Sequence, residues 1–281
     1  MSTSTADQPA IAAPRKAWLD AQKELERNNP KTNTTPSFDH PRIVSSDEWL
    51  AARLALLQQE KNFTRAHDAL TAQQRALPWM KMEKLYTFDS PHGRVSLADL
   101  FGPHRQLIVQ HFMFGPGWEE GCKSCSFMMD HFNPTVPHLA ARDVAFAAIS
   151  HAPLAEILPF KQRMGWDVNW VSAHDTEFNF DFAVSFDPER VANGKVCYNF
   201  TEQMVPNTEL PGISVFAKGP DGAVYRTYST YGRGIEVIMG TYRLLDLVPK
   251  GRDEVGLDYG MAWVRYPDRY SHSSHGAAAA S

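Results

Sequence analysis

Three cysteines in 281 residues are too few for the disulfide framework of a small secreted scaffold, and two of them, Cys122 and Cys125, are three positions apart. No apolar run approaches the roughly 20 residues that cross a bilayer, so a membrane is not an expected partner. The formal charge is only −4 and no basic stripe is present, which argues against nucleic acid. A phosphate-binding glycine loop is missing, since Gly232-Arg233-Gly234 lacks the rest of any such fingerprint, and Gly-x-Ser-x-Gly is absent. Met1 to Asp7 has neither the charged nor the apolar region of a secretory signal. A reducing cytoplasm is therefore the expected compartment, where a C-x-x-C pair serves redox or metal chemistry more often than stapling.

Hydrophobic residues make up 43% of the chain and aromatics 11%, enough for one large α/β domain or two small ones without staples. Residues 1–41, rich in Thr, Asn, Ala and Pro, read as a partly disordered extension, with a short helix expected around Ala17–Arg27. Ser45 and Glu48 have capping-box spacing, and Trp49, Leu50, Leu54 and Leu57 then fall at helical intervals, predicting a helix to Ala76 with a break near Asn62. Tyr86-Thr87-Phe88 and Arg94 to Leu97, joined at Pro91-His92-Gly93, predict a hairpin.

Leu107 to Phe114 reads as the main strand, followed by a Gly-Pro-Gly-Trp turn and the cysteine pair. A short helix from Cys122 should stop where Asn133-Pro134 supplies the cap and first position of another. Val144 to Ile149 is continuously apolar, as in a strand buried on both faces, Pro153 to Arg163 reads as a crossover helix, and Val168 to Ser172 as a third strand. The resulting β-α-β-α-β order implies a parallel core. Ile213 to Lys218 and Val224 to Tyr228 flank a Gly-Pro-Asp-Gly turn and form a hairpin, and a last helix is expected over Ile235 to Leu247. The aromatic stretch from Phe178 to Glu209 reads either as a core-filling insertion with its own strands or as a wall over the cysteines. Residues 271–281 read as a disordered tail.

At a strand-to-helix junction the first sulfur sits on the opening turn of a helix, where free backbone N–H groups and the dipole favour thiolate. The second lies one turn on, placed to attack a mixed disulfide. Lys123 favours that thiolate and Glu119 and Glu120 oppose it. Zinc is the rival chemistry and needs four ligands. There is no second C-x-x-C; His131 falls on the opposite helical face, His138 lies beyond Pro134, and His111 alone does not complete a site. No metal and no cofactor is expected. Cys197, in Lys195-Val196-Cys197-Tyr198, reads as a buried small hydrophobe, with a third redox thiol as the alternative.

From Arg42 to Tyr270 the chain resembles a bacterial family of thioredoxin-like proteins, domain of unknown function 899, described as predicted dithiol–disulfide oxidoreductases. The resemblance is carried by Gln106 to Phe127, Pro211 to Gly234 with Tyr228-Ser229-Thr230-Tyr231, Lys250 to Glu254, and Met261 to Arg265. It implies an α/β fold: a thioredoxin-like mixed sheet flanked by helices over residues 42–270, with an N-terminal helical extension and an aromatic insertion near 173–210. It also implies Cys122 as nucleophile, Cys125 as resolving thiol, and Pro211 as a cis-proline facing the sulfurs and the substrate, with an ordinary trans proline entering an edge strand as its alternative. Trp118 is a second substrate-binding candidate, as an aromatic lip, with ordinary packing as its alternative.

The partner implied is a disulfide- or thiol-containing protein or small molecule, and the N-terminal arm suggests a homodimer. Two other functions stand beside this one. A non-catalytic binding module would use the cleft near Trp118 and Pro211. A peroxiredoxin-like peroxidase is suggested by the early hairpin, but the proline and hydroxyl that branch places seven and three residues before its cysteine are Gly115 and Glu119 here.

Overall fold

The computed structural model describes residues 40–270. The helix expected at Ala17–Arg27 and the tail at 271–281 lie outside them.

Helix α1 (Ser46–Arg75) opens on the expected capping box: Glu48 N–H donates to the Ser45 hydroxyl, and the Glu48 carboxylate accepts from Ser45 N–H. It runs unbroken through Asn62, where a break was expected. There the amide oxygen accepts from Gln58 and Arg65 on the helix surface, so it does not compete for the backbone.

One sheet of eight strands follows, in the order β1 (Met80–Lys81), β10 (Val224–Tyr231), β9 (Gly212–Lys218), β4 (Gln106–His111), β5 (Val144–Ser150), β6 (Asn169–Ser172), β2 (Thr87–Ser90), β3 (Gly93–Ser96). Strands β4, β5 and β6 are parallel, as the crossover helices require, and β9 and β10 are the antiparallel hairpin on the other side of β4. This 10-9-4-5 order, with α2 (Lys123–Phe132) after β4 and α4 (Leu154–Met164) after β5, is the thioredoxin-like mixed sheet.

The period of two along the central strands divides the core. Leu107, Val109, Ala147, Ile149, Val171 and Phe216 face one side, where Phe88, Phe178, Phe182 and Tyr198 cover them. Phe146, Ala148 and Trp170 face the other, against Phe112, Phe114, Phe160, Trp166 and Cys125. The aromatic stretch is thus a core-filling insertion. It contributes α5 (Phe178–Asp181), α6 (Pro188–Asn193) and the ribbon β7 (Val196–Tyr198) with β8 (Thr201–Gln203), on the face away from the cysteines.

Three expectations need correction. Asn133 does not cap a new helix. Its carboxamide oxygen accepts from Asp167 N–H at 2.8 Å and Val168 N–H at 3.2 Å, and the chain passes through a 3-10 turn into α3 (Val136–Ala140). The last helix is split. Gly232–Ile238 is 3-10, the chain extends at Met239, and α7 covers only Gly240–Leu245. The cause is His131, whose Nε2 accepts from Thr241 N–H at 2.9 Å and so caps a fresh first turn, its Nδ1–H serving Phe127 O. Cys197 is exposed, because Val196 and Tyr198 take the inward positions of β7.

The two faces are separate packing units. Phe178, fully buried in the insertion, should cost about 3–5 kcal/mol on truncation to alanine, read as a lower urea midpoint. The iodoacetamide rate of Cys122 in the folded protein should stay unchanged.

Candidate active site

The C-terminal end of β4 sets the site. His111 is paired with Gly212, so Pro211 lies beside the residues that follow β4. Beyond His111, Met113 O accepts from Cys122 N–H at 2.9 Å, and Met113 N–H points at Cys125 Sγ, 3.5 Å away. This doubles the chain back so that both cysteines face the strand end.

Gly121 makes that turn feasible. A Cβ there would stand 2.6 Å from the Phe112 ring and 2.9 Å from Phe160, while Tyr266 donates its hydroxyl to Gly121 O at 2.5 Å. Glu120 is clamped by Arg163 and Arg269, and Arg163 also pairs with Asp268 at 2.8 Å. The segment after Val264 therefore straps the loop that delivers the cysteines. Of the charges expected to act on the thiolate, Glu120 is neutralised by these guanidinium groups, while Lys123 donates to Ala262 O at 3.1 Å.

Cys122 is the N-cap of α2 and half-buried; Cys125 is buried. The thiol of Cys125 hydrogen-bonds to Cys122, and this is the main influence lowering the Cys122 pKa to about 7, against the opposing effect of burial. The amides of Ser124 and Cys125 lower it further by facing the sulfur, although neither closes a full capping hydrogen bond. Burial pushes the Cys125 thiol well up, and donation to Cys122 pushes it further. Gln110 Nε2 donates to Cys125 O at 3.1 Å and fixes the backbone of that turn.

Pro211 corrects one expectation. No cis peptide bond occurs among the described residues, so Pro211 is trans. The trans form is favoured intrinsically by about 0.5–1 kcal/mol. Here the flanking chain is also anchored extended: Leu210 N–H donates to Val184 O at 2.8 Å, and Pro211 O accepts the Tyr198 hydroxyl at 2.8 Å.

Trp118 packs with Cys122 against the same aromatic cluster. Its indole lies over Gly115, where an added Cβ would stand 2.9 Å from Trp118 Nε1 and 3.2 Å from Glu209 Cγ.

Sequence reasoning passed over the groups behind this lip. Glu209 is buried, accepting from Ser185 Oγ at 2.6 Å and contacting His151 Nδ1 at 2.9 Å. Burial raises its pKa, and His151 pulls the other way. Glu209, His151 and Ser185 lie on three separate segments, so no local pattern announces them. Tyr198 is one of the aromatics of the insertion; its hydroxyl joins Pro211 O to Gly232 N–H, and burial raises its pKa. His111 faces away from the cysteines, bonded to Ser214 Oγ at 2.8 Å and stacked on Phe178. Burial, with the nearby Arg226 charge, pushes its pKa down to about 3, so it stays neutral and serves packing.

The family model for the bacterial protein of unknown function DUF899 matches residues 38–270. The chain belongs to that family. No curated protein matches the sequence. Among solved structures, peroxidoxin BcpB from Mycobacterium tuberculosis is similar at 14% identity and TM-score 0.38, over 59% of this chain and 97% of that one. A PrxQ from Xylella fastidiosa is similar at 12% identity and TM-score 0.36, over 57% and 88%. A putative thioredoxin from Neisseria meningitidis gives 16%, 0.33, 58% and 91%. Likenesses this distant do not identify a substrate. No helix among the described residues is long and apolar enough to cross a membrane.

The two thiols should separate in alkylation. With iodoacetamide at neutral pH, Cys122 should react at least tenfold faster than Cys125. Its rate should rise with pH through a midpoint near 7, because thiolate is the reactive form and more of it is present at higher pH. Peptide mass mapping at timed quenches reads both; a Cys122 midpoint at or above the ordinary thiol value of about 8.5 contradicts the lowering assigned to the Cys125 thiol and the α2 amides.

Proposed function

We propose that the protein is a thiol–disulfide oxidoreductase working through Cys122 and Cys125. The observation that carries this reading is the asymmetry of the pair: a half-buried sulfur with a lowered pKa at a helix start, and a buried thiol hydrogen-bonded to it.

The Cys122 thiolate attacks one sulfur of a substrate disulfide, forming a mixed disulfide and releasing the other sulfur as a thiolate. Cys125 then attacks Cys122 Sγ, loses its proton, and expels the second substrate sulfur, which leaves as a thiol after taking up a proton. The substrate disulfide gains two electrons, and the pair loses two on becoming a disulfide. The same steps run backwards when the partner is a dithiol. Once Cys122 is consumed in the mixed disulfide it no longer carries negative charge, so one influence holding Cys125 protonated is removed at the moment Cys125 must ionise. In the reducing cytoplasm expected from its cysteine usage, the pair rests as a dithiol.

Trp118 and Pro211 flank the approach to the sulfurs in this reading, Trp118 through shared packing with Cys122 and Pro211 through its place at the strand end. Peroxidase chemistry is disfavoured by Gly115. The peroxiredoxin-like reading needs a proline at that position and a hydroxyl where Glu119 stands.

The test is equilibration in glutathione and dithiothreitol redox buffers, with the oxidised fraction read by mass spectrometry. A single two-electron midpoint is expected for the wild type. Cys125→Ser should give none and should instead accumulate a mixed disulfide with glutathione at Cys122. If no Cys122–Cys125 disulfide forms across the accessible range, the oxidoreductase reading fails and the binding-module reading takes its place.

A further inference from the structure

Helix α1 is thirty residues long and buries none of them. Its hydrogen bond to the sheet comes from the last turn, Gln74 Nε2 to the Tyr228 hydroxyl at 3.3 Å. A helix of this length extends about 45 Å, and in water its stability would ordinarily come from packing an apolar face.

Such a face is present. Trp49, Leu56, Phe63 and Leu70 recur every seventh residue and are 60%, 54%, 63% and 53% exposed. A strict seven-residue repeat is the spacing that keeps one stripe toward a partner helix in a left-handed pair. Ala52 and Ala66, three residues after Trp49 and Phe63, are small enough to admit bulky side chains from the other helix.

The charges on the same helix identify the occupant. In the first half, Asp47, Glu48 and Glu60 against Arg53 leave −2; in the second, Lys61, Arg65 and Arg75 against Asp68 leave +2. A second copy laid antiparallel sets each half against its opposite, whereas a parallel copy sets like against like. The stripe has the symmetry a two-fold interface demands. With the axis near the helix midpoint, Trp49 of one copy runs alongside Leu70 of the other, and Leu56 alongside Phe63.

We propose that α1 is a dimerisation helix, pairing antiparallel with α1 of a second copy through the Trp49–Leu56–Phe63–Leu70 stripe. The cysteines lie on a different part of the fold, so the inference stands independently of the redox reading.

Sedimentation velocity on the full chain should give twice the chain mass at micromolar concentration. Leu56→Glu and Phe63→Glu should each raise the dimer dissociation constant at least tenfold. Neither side chain is buried, so circular dichroism should report an intact fold. Leu54→Glu is the control: Leu54 is equally exposed, at 55%, but about 200° around the helix from Leu56, and its substitution should leave the dimer intact. For orientation, the three native cysteines are replaced by serine and one new cysteine is introduced. A short bis-maleimide should then link Gln59→Cys chains to each other, near the axis, and fail to link Trp49→Cys chains. A monomer at all concentrations, as when another part of the same chain covers the stripe, overturns the proposal. So does a dimer indifferent to Leu56→Glu and Phe63→Glu, and linking at both cysteine positions overturns the antiparallel arrangement.

Discussion

The bond from Cys122 N–H to Met113 O, 2.9 Å long, closes the loop between β4 and α2, and it forms because Gly121 lets the backbone lie against the Phe112 and Phe160 rings. Without that approach, α2 would start farther from the strand end. Cys125 Sγ would lose Met113 N–H, and Gln110 would lose Cys125 O. The sulfur asymmetry depends on this: Cys125 is a high-pKa thiol because it is packed among aromatics, and Cys122 is a low-pKa one because Cys125 sits within hydrogen-bonding reach. A methyl group at position 121 would disturb packing, backbone pairing and acidity together.

The loop is also balanced electrically. Two unit charges 4 Å apart interact by about 4 kcal/mol at an effective dielectric of 20, so an uncompensated carboxylate two residues before the nucleophile would work against a thiolate. Arg163 and Arg269 remove that opposition by taking Glu120 into an ion-pair network with Asp268. These groups are partly exposed, so the network is worth less to stability than its bond count suggests. Its contribution is to position and charge. It holds the strap against Gly121 and leaves the Cys125 thiol, then the amides at the start of α2, as the nearby influences lowering the Cys122 pKa.

Much of the central architecture was legible because period and punctuation agreed. The apolar runs that became β4 and β5, the crossover helices and the Gly-Pro-Asp-Gly hairpin each carry a local signal that tertiary contacts reinforce. The failures share a cause. Asn133 looks like a helix cap, yet its side chain satisfies Asp167 and Val168 more than thirty residues away. The last helix is split by His131, over a hundred residues earlier. A fold pattern suggests a cis bond at Pro211, yet the bond is trans, with Leu210 bonded to Val184 and Pro211 O to the Tyr198 hydroxyl. For the site, the cysteines and the strand-turn-helix context were visible. Glu209, His151 and the Glu120 clamp were not, since each joins segments with no neighbourhood in the chain.

Strand β4 resolves the question the aromatic insertion raised. Its alternation sends Gln110 to the cysteine face and His111 to the other, where Phe178 stacks on the imidazole and Phe182 packs tilted against it. A neutral, buried histidine bonded to Ser214 lies behind the strand while Gln110 holds the cysteine turn in front. The insertion therefore does not need to overhang the sulfurs to matter to them. It reaches the sheet end through the Tyr198 hydroxyl, which joins Pro211 O to Gly232 N–H, and through Glu209, held by Ser185 beside Gly115. The Tyr198 bond ties the ribbon to the sheet end, while the side chains packed behind the sheet and those packed around the cysteines remain separate clusters.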